Sequence, residues 1–269
     1  MRIRLIEIEL FSYCNRKCKW CPNSIIDRQS VNLELPDDIL ETLMQDLQKM
    51  HYEGVFSFSR YNEPFAYFEL LNKKLEIIKK YFPNNKMVSN TNGDFITEEV
   101  LSEMLIDELS IMDYDDKTKE EILEKMKFLN IQNIKDYGHY FVGDYQNKKV
   151  LYYCSWNIVN TPSDRGGTLS EYSSKKRKAS CMEPTYFLGI NYDGTVSPCC
   201  NVRNDVARHK LYILGDLYEE SIKEILASEQ YKKFVLDCKL GRFQRRSPCY
   251  YCNNSGGRYT KEEGGILYG

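Results

Sequence analysis

Histidine is scarce in this 269-residue chain: His51, His139 and His209 are the only three. None lies near the first group of cysteines, so no histidine completes a mononuclear metal site there. Long apolar runs are missing as well. No stretch approaches the roughly 18 residues needed to cross a bilayer. The start, Met1-Arg2-Ile3-Arg4-Leu5, lacks the apolar core of a signal peptide. A cytoplasmic protein without a membrane segment is expected. Neither sign of charge is in excess, since 37 Lys and Arg face 39 Asp and Glu for a net charge of -2. That balance argues against a nucleic-acid surface. The only dense basic run, Lys175-Lys176-Arg177-Lys178, reads as a solvated loop. No internal repeat or low-complexity tract is present.

What the chain does have is ten cysteines. In a reducing compartment a disulfide framework is not expected, and cysteines at short spacings more often hold metal. Their setting follows from the hydrophobic rhythm. Residues 3–11 alternate apolar with polar and read as a strand. Helical spacing over 36–50 and 68–82, with strands at 54–59 and 86–89 between and after, continues the alternation. A helix over 97–105 capped by Thr97, a strand over 107–112, a helix over 117–129 and strands at 139–142 and 150–156 follow. Strand alternating with helix predicts an α/β fold with a parallel sheet. Chemistry in such folds sits on loops at the carboxyl ends of the strands. After about residue 157 the alternation stops. A hairpin at Asn191-Tyr192-Asp193-Gly194 and one helix over 221–236 are expected beyond it. A domain boundary is placed near 160, giving segments 1–160 and 161–269.

Cys14, Cys18 and Cys21 follow the first strand on one loop. Three thiolates can hold three corners of a [4Fe-4S] cubane, which normally takes four, and leave one iron open. Zinc is the alternative, but it wants four ligands, usually from two Cys-x2-Cys pairs. Cys14-Asn15-Arg16-Lys17-Cys18-Lys19-Trp20-Cys21-Pro22 resembles the signature of the radical S-adenosylmethionine (SAM) superfamily. The resemblance implies a partial (β/α)6 barrel and a cluster that cleaves SAM to a 5'-deoxyadenosyl radical. It also implies an external electron donor such as a flavodoxin or ferredoxin. Arg60-Tyr61-Asn62-Glu63-Pro64 stands where that family has Gly-Gly-Glu-Pro. Glu63 and Pro64 match, whereas Tyr61 and Asn62 replace the glycines. Ser89-Asn90-Thr91-Asn92-Gly93 ends the third strand, where family members contact SAM with polar side chains. The resemblance thus marks Asn62, Glu63, Pro64, Ser89, Asn90 and Asn92 as SAM-binding positions.

Cys181, then Gly194 and Cys199, then Cys249 and Cys252, are similar to the SPASM or shorter twitch domain, which holds an auxiliary cluster. Residues 181–252 contain six cysteines, so one auxiliary [4Fe-4S] cluster on Cys181, Cys199, Cys249 and Cys252 is favoured over two. Cys154 reads as a core residue. Cys238 is either that or a ligand of a second cluster. Cys200 adjoins a ligand, as a hydrogen-atom donor does in certain peptide epimerases, although Pro-Cys-Cys also occurs in relatives with other activities. Arg165, in Asp164-Arg165-Gly166-Gly167, stands where a related cyclitol dehydrogenase contacts substrate with an arginine, and otherwise is a solvated loop residue. Cys200 and Arg165 are the catalytic candidates.

Three functions follow from the resemblance. The first expectation is modification of a ribosomally made peptide by crosslinking, epimerisation or excision. The chain starts almost at the first strand, so a separate leader-peptide-binding protein would deliver that peptide. The alternative is oxidation or epimerisation of a small polar substrate, a sugar or cyclitol, at a carbinol carbon. A non-catalytic iron–sulfur electron carrier is the remote third.

Overall fold

The computed structural model describes residues 3–154, 163–172, 176–250 and 252. The expected boundary at 160 lies outside them. Strands β1 (Leu5–Ile8), β2 (Val55–Ser57), β3 (Met87–Thr91) and β4 (Glu108–Met112) alternate with helices α1 (Asp37–Lys49), α2 (Phe68–Tyr81) and α3 (Glu98–Glu103). Helix α4 (Lys119–Phe128) then leads to β5 (Gln132–Asp136), β6 (Tyr140–Tyr145) and β7 (Lys148–Tyr153). The later residues add β8 (Phe187–Ile190), β9 (Thr195–Ser197), β10 (Gly215–Asp216), α5 (Ile222–Ala227) and α6 (Glu229–Lys239).

All ten strands form one sheet in the order β10-β9-β8-β1-β2-β3-β4-β7-β6-β5. The six strands from β8 through β7 run parallel, and the antiparallel strands lie at the two ends. The parallel run is the α/β architecture expected, with one difference in its source. Its first strand is β8, which comes from the C-terminal segment and pairs with β1 from Leu5↔Phe187 to Ile8↔Ile190. Strand β5 was not foreseen, because Gln-Asn-Ile-Lys-Asp is exposed at four of its five positions and carries no apolar alternation. The helix expected over 221–236 is two helices. Ser228 interrupts it, extended at φ -63° and ψ 150°, and its side chain accepts from the Tyr231 amide to cap the second.

The core lies between the sheet and the helices on its outer face. Leu40, Leu43, Met44 and Leu47 of α1 pack with Leu71, Leu75 and Ile78 of α2 and with Ile6 and Ile8 of β1. Each such side chain contributes about 1.5–3 kcal/mol of burial. Side chains alternate along a strand, so Ile6 and Ile8 on this face leave Glu7 and Glu9 on the other. Both glutamates are buried. That inner face, at the carboxyl ends of the parallel strands, is the one that carries chemistry.

Candidate active site

A cleft of about 1010 Å³, its open mouth included, lies over the inner face. Cys14, Cys18 and Cys21 line one end, and Asn62, Glu63, Asn90, Thr91 and Asn92 line the side. Glu7, Arg60, Arg165 and Cys200 line it as well, and Trp20, Met112 and Tyr114 add to the wall. Residues far apart in sequence are thus brought to one cavity. Of the positions marked by resemblance, Pro64 and Ser89 are not in its lining. Pro64 opens a 3-10 turn, and Ser89 is buried with its hydroxyl donating to the Asn90 carbonyl at 3.3 Å.

The cysteine loop is fixed from both sides. The Cys14 amide donates to the Arg28 carbonyl (3.0 Å) and the Cys21 amide to that of Cys18 (2.9 Å). Arg16 reaches across the cleft to Asp94 (2.7 Å from Nε) and Asp115 (2.8 Å from Nη1). Asn15 donates to Asp94 at 2.7 Å and accepts from Asn92 at 2.8 Å. Burial pushes the Cys14 thiol up to about 12 and the Cys18 thiol to about 11, and the neighbouring thiols add to both. A positive metal centre reverses that penalty by binding the thiolates. Among the described residues no three His, Cys, Asp or Glu side chains converge on a single metal ion. Three thiols on one loop suit the corners of a cluster with an open iron, whereas zinc wants four ligands.

Glu63 is buried and oriented by three donors. Its Oε1 accepts from Thr91 Oγ1 (2.6 Å) and the Phe65 amide (3.2 Å), and its Oε2 from the Asn92 amide (2.8 Å). Burial raises its carboxyl to about 7 against those bonds. A cation placed there restores the charged form. Asn90 Oδ1 and Asn23 Oδ1 are buried without a protein partner on the same cleft, so polar groups await a ligand. The donor set therefore fits an iron–sulfur cluster with SAM beside it. Tyr61 and Asn62 fill the expected glycine places without strain, since neither has positive φ.

Glu7 and Arg60 were missed by sequence reasoning. Glu7 sat in an apolar strand, and a charged residue on its sheltered face was the available signal. Burial pushes its carboxyl up to about 7, and Arg60 Nη1 lies 3.4 Å from Oε2. Gly189 makes room for that pair, because a Cβ there would sit 1.8 Å from Arg60 Nη1. Arg165 faces the same space with a buried, unpartnered Nε. Its φ of +50° is uncommon for a side-chain-bearing residue. Gly166, at φ +65°, packs against the Asn201 carbonyl where a Cβ would stand at 2.6 Å, and His209 Nε2 contacts the Gly166 carbonyl at 2.9 Å. Arg165 is thereby held in the cleft instead of solvent.

The second cysteine set gathers behind this wall. Cys199 is half-buried, and its thiol is raised by desolvation and by Cys200, Cys249, Cys252 and Cys181 together. The Cys181 amide donates to the Cys238 carbonyl (2.9 Å), and Cys238 contacts Cys249. Arg177 is buried, unlike the solvated loop expected for its basic run. Its guanidinium donates to the carbonyls of Ala179 (2.8 Å), Ser180 (2.9 Å) and Cys252 (3.4 Å), which ties the ligand loops together. Four thiols from three segments fit one auxiliary cluster. Tyr61 links the two sites. Its hydroxyl donates to the Cys200 carbonyl at 2.7 Å, and the Arg203 guanidinium lies 3.7 Å from its ring centre.

Comparison with known proteins agrees with this layout. A radical SAM superfamily model matches residues 8–112, and a SPASM iron–sulfur cluster-binding domain model matches 181–253. A protein of Niallia circulans described as an S-adenosyl-L-methionine-dependent 2-deoxy-scyllo-inosamine dehydrogenase is 30% identical over 93% of this chain and 92% of its own. A crystal structure of BtrN in complex with AdoMet and 2-DOIA superposes with a TM-score of 0.72 at 26% identity, covering 96% of this chain and 98% of that one. Native anSMEcpe with bound AdoMet shares the fold, at 17% identity and a TM-score of 0.53 over 87% of this chain and 83% of its own.

Proposed function

Because this chain belongs to the radical SAM superfamily and carries a SPASM iron–sulfur domain, we propose that it oxidises a carbinol carbon of an aminocyclitol or closely related sugar. As a radical SAM oxidoreductase it uses a SAM-binding [4Fe-4S] cluster, SAM and auxiliary iron–sulfur chemistry. When bound, SAM and its cluster supply a 5'-deoxyadenosyl radical that takes a hydrogen atom from carbon. Cys14, Cys18 and Cys21 hold that cluster. Glu63, kept in place by Thr91 and the Asn92 amide, receives the SAM ammonium, and Asn62, Asn90 and Asn92 line its polar edges. Cys181, Cys199, Cys249 and Cys252 would hold the auxiliary cluster, which would supply a one-electron acceptor.

One observation carries the substrate class: the cleft sets a buried carboxylate beside two guanidinium groups, Glu7 with Arg60 and Arg165. A small polyol bearing an amine can satisfy both signs of charge there. Oxidation of a carbinol removes a hydrogen atom from carbon, a proton from oxygen and one electron. Glu7, whose carboxyl burial has brought to about 7, is suited to accept that proton. Arg165 donates to the oxygen through its unpartnered Nε. Modification of a ribosomal peptide, the first expectation from the sequence, has weaker support. The relative similar over nearly the whole chain is a dehydrogenase of 2-deoxy-scyllo-inosamine.

The test is incubation with 2-deoxy-scyllo-inosamine and related aminocyclitols deuterated at each carbinol carbon. Deuterium is expected in 5'-deoxyadenosine, with one ketone formed per SAM cleaved. Transfer from a precursor peptide and from none of these cyclitols would sink the proposal. Cys200 favours a second outcome, since it lines the same cleft. If its thiol returns hydrogen to the substrate radical, the carbinol is inverted instead, and the thiyl left on Cys200 is restored by one electron from an external carrier and a solvent proton. Solvent deuterium then enters that carbon, and Cys200→Ala abolishes the incorporation.

A further inference from the structure

The face outside the auxiliary cysteines has a charge unlike the rest of the chain. Residues 232–246 contain six cations and one anion, a net of +5 in a protein whose overall charge is -2. Lys233 pairs with Asp237 and Lys232 with Glu229. Lys239, Arg242, Arg245 and Arg246 are exposed and form no ion pair among the described residues. Lys176 and Lys178 extend the patch, for Arg177 between them lies over the Phe243 ring at 5.6 Å.

An apolar hollow sits inside this rim. Leu211, Tyr212, Phe234 and Phe243 line it, with Cys238 and Cys249 also in its wall. Leu211 is 85% exposed, and Leu236 on α6 and Leu240 just past its end are each about half exposed. A basic rim around exposed apolar side chains, opening on a redox ligand, is the anatomy of a weak electron-transfer interface. Basic rims steer acidic partners to such surfaces in a salt-dependent way. The mouth of the SAM-cluster loop is different, offering Lys17 and Lys19 beside the exposed acid Asp27.

We propose that this C-terminal face is the docking site for an acidic one-electron carrier protein of the flavodoxin class, seated over the hollow beside Cys249. Lys239, Arg242 and Arg245 meet the carrier's carboxylates, while Leu211 and Leu240 pack against the apolar surround of its cofactor. The inference is independent of the substrate assigned above.

Binding of an acidic, oxidised flavodoxin to the anaerobic holoenzyme tests it, measured by calorimetry. Lys239→Glu/Arg242→Glu/Arg245→Glu is expected to weaken binding at least about tenfold while iron content remains that of wild type. Raising salt from about 50 to about 300 mM should weaken the wild-type complex and change the variant's little. Lys17→Glu/Lys19→Glu should bind as wild type. The proposal is overturned if the C-terminal variant binds flavodoxin normally, or if the Lys17/Lys19 variant is the one that loses it. It is equally overturned if the holoenzyme prefers single-stranded DNA to flavodoxin, because the patch would then be a general polyanion surface.

Discussion

His209 shows how a single side chain fixes a distant one. It is fully buried, accepts from the Arg203 amide at Nδ1 (3.1 Å) and so donates from Nε2 to the Gly166 carbonyl. Only the neutral ring can do both. Burial depresses its pKa from 6.5 to about 4. Between those values the unfolded chain binds the proton and the folded one does not, so stability falls on acidification. The contribution is complete above about pH 6.5 and lost as pH drops toward 4, worth on the order of 3 kcal/mol. Urea midpoints of the anaerobic holoprotein at pH 7.5 and 5.5 should show the loss, and His209→Gln should flatten it. An equal pH slope in wild type and variant would assign the loss to other groups. Glu63 offers a second test at this scale. Glu63→Gln keeps one acceptor oxygen for Thr91 and the Phe65 amide, but puts an NH2 donor where Oε2 accepts from the Asn92 amide and removes the charge. SAM affinity should fall by about 1.5–3 kcal/mol, with iron content unchanged, as read by equilibrium dialysis.

Strands β1 and β8 form the element that carries Glu7 into the cleft. Glu7 and Gly189 are register partners, and the missing side chain at 189 is what lets Arg60 lie over the pair. Gly189→Ala should displace Arg60 from Glu7. Ketone formation should drop by about tenfold or more, the loss expected when a positioned group shifts by an ångström. SAM cleavage in the absence of substrate should persist, because Glu63 and the cysteine loop are untouched. Parallel loss of both activities would mean that the strand pair itself had failed.

At the scale of the whole molecule, a buried ionic chain joins the cysteine loop to the C-terminal segment. Arg28 bridges Glu9 (3.2 Å) and Asp205 (2.7 Å), and Asp205 also binds Arg203 (2.6 Å). The two arginines are 3% and 1% exposed, so each depends on its anion. Removing one partner of such a network costs about 3–5 kcal/mol, because a charge is left buried and uncompensated. Asp205→Asn should therefore lower the unfolding midpoint and loosen the loop bearing Cys199 and Cys200, seen as faster hydrogen exchange at 199–203. A midpoint within error of wild type would show that the chain of charges is dispensable.

The sequence by itself determined whatever depends on neighbours in the chain. Period-two and 3.6-residue rhythms placed the first four strands and helices. Short cysteine spacings marked both cysteine sets, and Thr97 marked a helix start that its side chain does cap. Tertiary structure decided what depends on long-range approach. That β8 joins β1 could not be read locally, since strand pairing across some 180 residues leaves no periodic trace. Nor could the exposed edge strand β5 be read, or the break at Ser228, where a cap inside a continuous helical rhythm ends one helix and begins the next. Arg165 and Cys200 were candidates from the sequence, but their meeting with Glu7 and Arg60 in one cleft came only from folding. The character of that wall rests on burial, which sets a glutamate and two arginines, ordinary in the sequence, facing one cleft.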